Sequence, residues 1–533
     1  MFAQNPMTPS SKSAREPDGN RPSHWPIQPL DLGLIAALAL AKLAVHLVSA
    51  GRYGYFRDEL YFLDLGRHLD WGYVDCAPLI GVYAKIALLL GGSLPVLRSI
   101  AALAGAARVV LTMLIARELG AARFGQALAG LCAVAAPIYL GMDSILTMNG
   151  FESLYWMGCA YFVIRIARTG DSRLWVWFGV LAGLGFENKH STLLFLGAFA
   201  AALLLTPLRR ELARPWIWAG AGIGLLLFLP NVLWQVRHGF PTLEDLRNVA
   251  RMGKNVVLPP AEFVGQQILL LHPLLLPIWL IGLGSFLFGR QSRVRVLGWT
   301  YLVLLPMMIV LKAKNYYLSP IYPMLFASGA VAVEGWLERR RWARGRLWPK
   351  AAIAVYVLAA GAILVPAILP ILPPEGLVAY QRRLHLAPPK TEVRHEGPLE
   401  QRLGDQFGWE ELVAEVARMY RSLPQQEQAR TGIFASNYGE AGALHLFGPS
   451  YGLPPAICAH QNHYYWGPPA AEPENLIWLQ WGRESIEEHC RSVEELGRHS
   501  HPWGMAEENR PIYLCRGLKA PLAAQWNDLK HWN

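Results

Sequence analysis

The sequence predicts an α-helical polytopic membrane protein that ends in a small extracytoplasmic α/β domain. Three features lead to that fold class. Of 533 residues, 53% are hydrophobic and only 17% are charged, against about 25% charged in ordinary soluble domains. The apolar residues are gathered in long runs between about residues 30 and 372. Residues 373–533 lack such runs and read as a folded soluble domain.

Taken in order, residues 1–28 are rich in Pro and Ser and read as a disordered cytoplasmic N-terminus. A bilayer span needs about 20 apolar residues. Candidates cover 29–50, 95–117, 124–141, 145–164, 174–187, 191–206, 215–234, 264–288, 296–311, 316–337 and 351–372. These are about eleven spans, making 29–372 the transmembrane domain. The first is read as an uncleaved anchor. The stretch 78–92 is short and follows Pro78, so it reads as interfacial or re-entrant.

Loop charges orient these spans. The loops with Arg117 and Arg123, with Arg165 to Arg173, with Arg209 to Arg214, with Arg290 to Arg295 and with Arg339 to Lys350 fall on one side. Lys12, Arg15 and Arg21 of the N-terminus fall there too, which marks that side as cytoplasmic. An odd number of spans then places 373–533 outside. Within that domain 431–437 and 475–481 read as strands, and 409–421 and 439–447 as helices.

The net charge of +10 resides in these loops rather than in a basic tract. With no zinc-finger or RNA-binding signature beside it, nucleic-acid binding is set aside. No glycine loop for nucleotides, no Gly-x-Ser-x-Gly elbow and no Cys-x-x-Cys pair occurs. His460 and His463 share a loop, a weak metal signal by itself. An activated substrate must therefore arrive through the membrane.

Polar residues at the outer ends of spans are the candidates for chemistry, because ionisable groups at membrane depth are costly. Asp58 and Glu59 open a helix after the first span. They either complement its dipole or serve as acid–base carboxylates beside Arg57. Glu152 lies inside a span, three residues from Asn149 and on its face. It fits a divalent cation, an acceptor or a basic partner. Lys189 stands at the apex of two short spans; it either meets a lipid phosphate or snorkels. Arg237, His238, Lys314, Tyr316 and Tyr317 sit at outer helix ends, where interface anchoring is the ordinary alternative to phosphate binding.

The stretch Arg57-Asp58-Glu59-Leu60-Tyr61-Phe62 through Trp71-Gly72-Tyr73-Val74-Asp75 resembles the first outer loop of the GT-C glycosyltransferases. Lys314-Asn315-Tyr316-Tyr317-Leu318-Ser319-Pro320 and Gly185-Phe186-Glu187-Asn188-Lys189 are similar to later segments of its family 39 branch, which holds the protein O-mannosyltransferases and the lipid A aminoarabinose transferase. The resemblance covers roughly residues 30–340. It implies a GT-C fold and an inverting transfer of a monosaccharide from a polyprenyl-phosphate donor to a lipid, glycan or protein, on the outer face of a bacterial inner or plasma membrane. Asp58 matches the family's catalytic base. Asp143 and Glu152 both suit the second acidic position, with Glu152 preferred, and the metal role stays open. Lys189, Arg237 and Lys314 would stabilise the leaving phosphate.

Two other classes fit parts of the sequence: a transporter or flippase for an amphipathic lipid, and a non-catalytic binder of an envelope polymer. Transporters place polar residues at the midplane in broken helices, whereas here they gather at one face. Among Cys458, Cys490 and Cys515, a Cys490–Cys515 bridge is favoured, since Cys490 ends a helix and Cys515 ends a strand; three buried thiols are the alternative.

Overall fold

A computed structural model describes residues 27–387, 392–393, 395–479, 482–504 and 508–532. The N-terminal segment read as disordered lies outside the described residues, apart from its last two.

The first long helix, Leu32–Leu47, starts where Asp31 accepts a hydrogen bond from the Leu34 N–H at 2.9 Å. Five helices among the described residues are long and apolar enough to cross a membrane: Leu32–Ser49, Leu94–Glu118, Pro215–Arg237, Ser292–Val310 and Trp348–Ile368. The remaining segments read as spans are helical too, but short, interrupted or charge-bearing, as in Arg123–Ala135, Met148–Thr169, Trp175–Asn188 and Tyr322–Arg339.

One segment departs from its expected form. Residues 264–288 are not a straight span: Pro260–Leu271 and Pro273–Phe288 meet at 89°. Pro273 has no N–H to continue the helix and forces His272 out of helical geometry, at φ 80°. Thr192–Leu204 likewise turns by 101° into Pro207–Ala213. Tight approach of the helices Trp175–Asn188 and Pro215–Arg237 depends on glycine: a Cβ on Gly179 would overlap the backbone of Gly220.

Two short helices lie between the first two long ones. Arg57–Arg67, called the interface helix because it packs against both the long helices and the C-terminal part, lies on Leu79–Leu89, where a Cβ on Gly66 would meet the Lys85 and Ala84 backbone. The second covers the stretch read as interfacial, and at 11 residues it is too short to cross about 30 Å of hydrocarbon.

The C-terminal part holds a five-stranded sheet in the order β2-β1-β3-β5-β4, where β1 is Thr431–Phe434, β2 Ala456–Ile457, β3 Asn475–Leu479, β4 Cys490–Arg498 and β5 Pro511–Leu518. β1 pairs in parallel with β2 and β3, and β5 runs antiparallel to β3 and β4. Alternation along the strands sends Ile433, Ile477 and Leu514 to one face, against Val413 and Val416 of the helix Trp409–Ser422. Phe434, Trp478 and Tyr513 go to the other, against Leu522 and Trp526. Leu60 of the interface helix enters the first of these cores, so the sheet domain is seated on the membrane domain by apolar packing.

Cys490 and Cys515 are disulfide-bonded, with Cα atoms 5.6 Å apart and a sequence separation of 25. Replacing both by Ser should lower the stability of this domain by about 3 kcal/mol. Denaturant unfolding followed by tryptophan emission checks this; an unchanged midpoint would show that the bridge adds nothing.

Candidate active site

The interface helix begins after Phe56, whose N–H donates to Glu59 Oε2 at 2.9 Å. Glu59 is fully buried and holds Arg98 at 3.1 Å, while its other oxygen accepts from the Leu146 N–H at 2.8 Å. Its oxygens are taken by groups that anchor the helix and the loop before it. Asp58, one position earlier, points the other way and is partly exposed. It accepts a 2.9 Å hydrogen bond from the Tyr438 hydroxyl, contributed by the C-terminal domain. The two adjacent carboxylates thus do different work.

Around Asp58 lies a group of alternating charges. Arg57 pairs with Asp405 at 3.3 Å, and Lys314 with Glu392 at 3.5 Å. Burial pulls the Lys314 ammonium down, but Tyr316, Tyr317, Glu392 and Asp58 hold it above the usual lysine range. Burial pushes Glu392 up, yet Lys254, Arg57 and Lys314 keep it at about 2. Asp75 is different. Burial, with Asp245 and Asp58 nearby, pushes it up to about 7 against the pull of the Tyr61 hydroxyl, which donates at 2.9 Å.

That shift has a signed consequence. Below the ordinary carboxylate pKa of 3.8 Asp75 is neutral in both the folded and unfolded chain. Between there and about 7 the unfolded chain loses the proton first, so stability falls as pH rises, then levels off. Asp75→Asn should remove this slope, and the variant should gain on the parent by on the order of 1 kcal/mol between pH 5 and pH 8, discounted for partial exposure. Paired melting curves at the two pH values measure it; a constant difference would contradict the assignment.

A second group adjoins the first through Tyr316 and Tyr317. Lys189 Nζ lies 3.8 Å from the Tyr317 ring centre and 6.0 Å from that of Tyr316. It donates to Asn149 Oδ1 at 2.7 Å and to Glu152 Oε2 at 3.1 Å, while Ser191 donates to the other Glu152 oxygen. Of the partners open to Glu152, the structure therefore shows a basic one. Both its oxygens are engaged, one by Lys189 and the other by Ser191.

Asp143 is fully buried between Lys42, at 2.9 Å, and Arg108. Arg108 also lies 4.3 Å above the Tyr139 ring. Asp143 is thus a charge partner within the bundle. Arg237 is exposed at its helix end and makes no ion pair among the described residues. His238 stacks on Trp234 at 4.1 Å and meets Tyr465 edge to face at 4.8 Å, so it serves the seat of the C-terminal domain. No hydrogen bond or ion pair among the described residues joins either to Lys189 or Lys314. Sequence reasoning gave no role to Asp75, Glu392 or Tyr438. Asp75 stood inside the family-like loop, whereas nothing in the sequence links Tyr438 to Asp58 across 380 positions.

The architecture is that of a known structure. ArnT from Cupriavidus metallidurans in the apo state superposes with a TM-score of 0.57 at 15% identity, covering 91% of this chain and 97% of that one. The same protein bound to undecaprenyl phosphate gives 0.55 at 14% identity, covering 91% and 98%. The chain has the GT-C glycosyltransferase fold. Residues 75–234 also match the family described as dolichyl-phosphate-mannose-protein mannosyltransferase. No curated protein matches by sequence. The matched stretch contains Asp75, Glu152 and Lys189; Asp58 precedes it and Lys314 follows. With its apolar helices and this fold, the chain is an integral membrane protein.

Proposed function

We propose that the chain is an inverting glycosyltransferase that moves a monosaccharide from a polyprenyl-phosphate donor to a lipid, glycan or protein on the extracytoplasmic face of the membrane. The observation that carries this reading is the placement of Asp58. It stands partly exposed beneath the C-terminal domain, beside Lys314 and Tyr316, with Lys189 next in line through Tyr317. The solved relative of the same fold with undecaprenyl phosphate bound supports a polyprenyl-phosphate donor.

In this reading Asp58 accepts the proton of the acceptor hydroxyl or amine as that atom attacks the anomeric carbon. The Tyr438 hydroxyl holds the carboxylate in place. The bond from sugar to phosphate breaks on the opposite face, inverting the centre, and the departing polyprenyl phosphate needs no proton. Its growing charge is met by Lys314 and by Lys189. Glu59 positions the helix, and Arg237 and His238 keep the outer surface and the domain seat. The arginine loops orient the N-terminus to the cytoplasm and the C-terminal domain outward.

Purified protein incubated with a panel of labelled polyprenyl-phosphate sugars and membrane extract tests the reading. Mass analysis should find free polyprenyl phosphate together with a sugar-bearing acceptor. Donors recovered intact from every incubation would overturn it.

A further inference from the structure

A second polar group lies on the same interface helix, away from Asp58. Asp64 Oδ2 faces His445 Nδ1 at 2.7 Å and His463 Nε2 at 3.1 Å. The three donor atoms lie within 4.8 Å of one another. Asp64 is 1% exposed and His463 3%, while His445 at 21% lies on the open side. The residues come from three separate segments: the interface helix, the helix Tyr438–Tyr451 and the short helix His463–Trp466.

The hydrogen bonds around the group leave a place for either a proton or an ion between its members. His445 Nε2 faces the Ala456 carbonyl at 3.3 Å, a partner only an N–H can satisfy. His445 Nδ1 then meets Asp64 either as the second N–H of an imidazolium or, when the ring is neutral, as a lone pair that an ion can bridge to the carboxylate. His463 Nδ1 is buried without a partner among the described residues, so that ring's polar contact in the group is Nε2 toward Asp64. Arg67 donates to the other Asp64 oxygen at 2.6 Å and so fixes the carboxylate plane, as outer partners do for ligating groups.

We propose that Asp64, His445 and His463 bind a divalent ion of the zinc class. Two imidazoles and one carboxylate are a donor set for zinc, with water in a fourth position. Bonds of about 2.0–2.2 Å in a tetrahedron space the donors about 3.4 Å apart, so closure needs only small side-chain rotations from the distances seen. The ion clamps the interface helix to the C-terminal domain. Asp58 meets Tyr438 near the start of this helix pair and Asp64 meets His445 further along, with Leu60 packed on Gly442 between them, where a Cβ would come within 2.8 Å. The clamp thereby fixes how Tyr438 approaches Asp58. The site itself stands whether or not the chain transfers a sugar.

The test uses tag-free, full-length protein stripped with a chelator and then titrated with zinc or cobalt. One ion per chain should bind, the melting temperature should rise with zinc, and cobalt should give the visible bands of a tetrahedral site. His445→Gln, at the open rim and least disruptive to folding, should weaken zinc affinity at least about tenfold; Asp64→Asn should abolish binding. A melting temperature indifferent to zinc, or zinc affinity unchanged in His445→Gln, would overturn the proposal and leave a plain hydrogen-bonded triad.

Discussion

Asp58→Asn should abolish glycosyl transfer while leaving donor affinity within about twofold. A positioned general base contributes about 10²–10⁴-fold to rate, and Asn removes the basicity alone. The substitution keeps an oxygen for the Tyr438 hydroxyl, which donates to Asp58 Oδ1 at 2.9 Å, so the fold and the domain seat should survive. Tyr438→Phe is the informative companion: it keeps the carboxylate and removes its holder, so turnover should fall less than in Asp58→Asn. Initial rates and donor binding on the same preparations decide between them. Near-parental turnover by Asp58→Asn would remove Asp58 as the base.

The second large effect concerns phosphate. Neither lysine is unpartnered, because Lys314 holds Glu392 and Lys189 holds Glu152. A phosphate must join these pairs or displace a carboxylate. Lys314→Ala should weaken polyprenyl-phosphate binding by about 10- to 100-fold, the range of a charge-assisted hydrogen bond. Lys189→Ala is harder to read alone, since it strands the nearly buried Glu152, a change that costs about 3–5 kcal/mol. Glu152→Gln separates the possibilities: it frees Lys189 and should tighten phosphate binding. Looser binding in Glu152→Gln would mean that the carboxylate itself serves the donor.

Much of the fold was legible because membranes impose a strong code. Apolar runs predicted the bundle, and hydrophobic periodicity predicted β1, β3 and the helix Trp409–Ser422. The bend at Pro273 was missed because hydropathy sums over 264–288 without registering that one proline ends a helix. At the site, Asp58, Lys189 and Lys314 could be picked out, since each interrupts or ends an apolar stretch. Their partners could not. Tyr438 and Glu392 lie hundreds of residues from Asp58 or tens from Lys314, in a domain with an ordinary polar surface, and only the tertiary fold brings them across. Lys42 and Arg108 were overlooked for a related reason: a single charge in a long apolar helix reads as tolerated until its partner, Asp143, is seen.

The most direct test of a shared donor site for Asp58, Lys189 and Lys314 is an experimental structure of the full chain with polyprenyl phosphate bound. The phosphate should lie against Lys314 and Lys189, beside Tyr316 and Tyr317, with Asp58 facing the space a sugar would fill. Density for the phosphate at the exposed Arg237 end instead, with Lys189 and Lys314 still held by their carboxylates, would contradict the account.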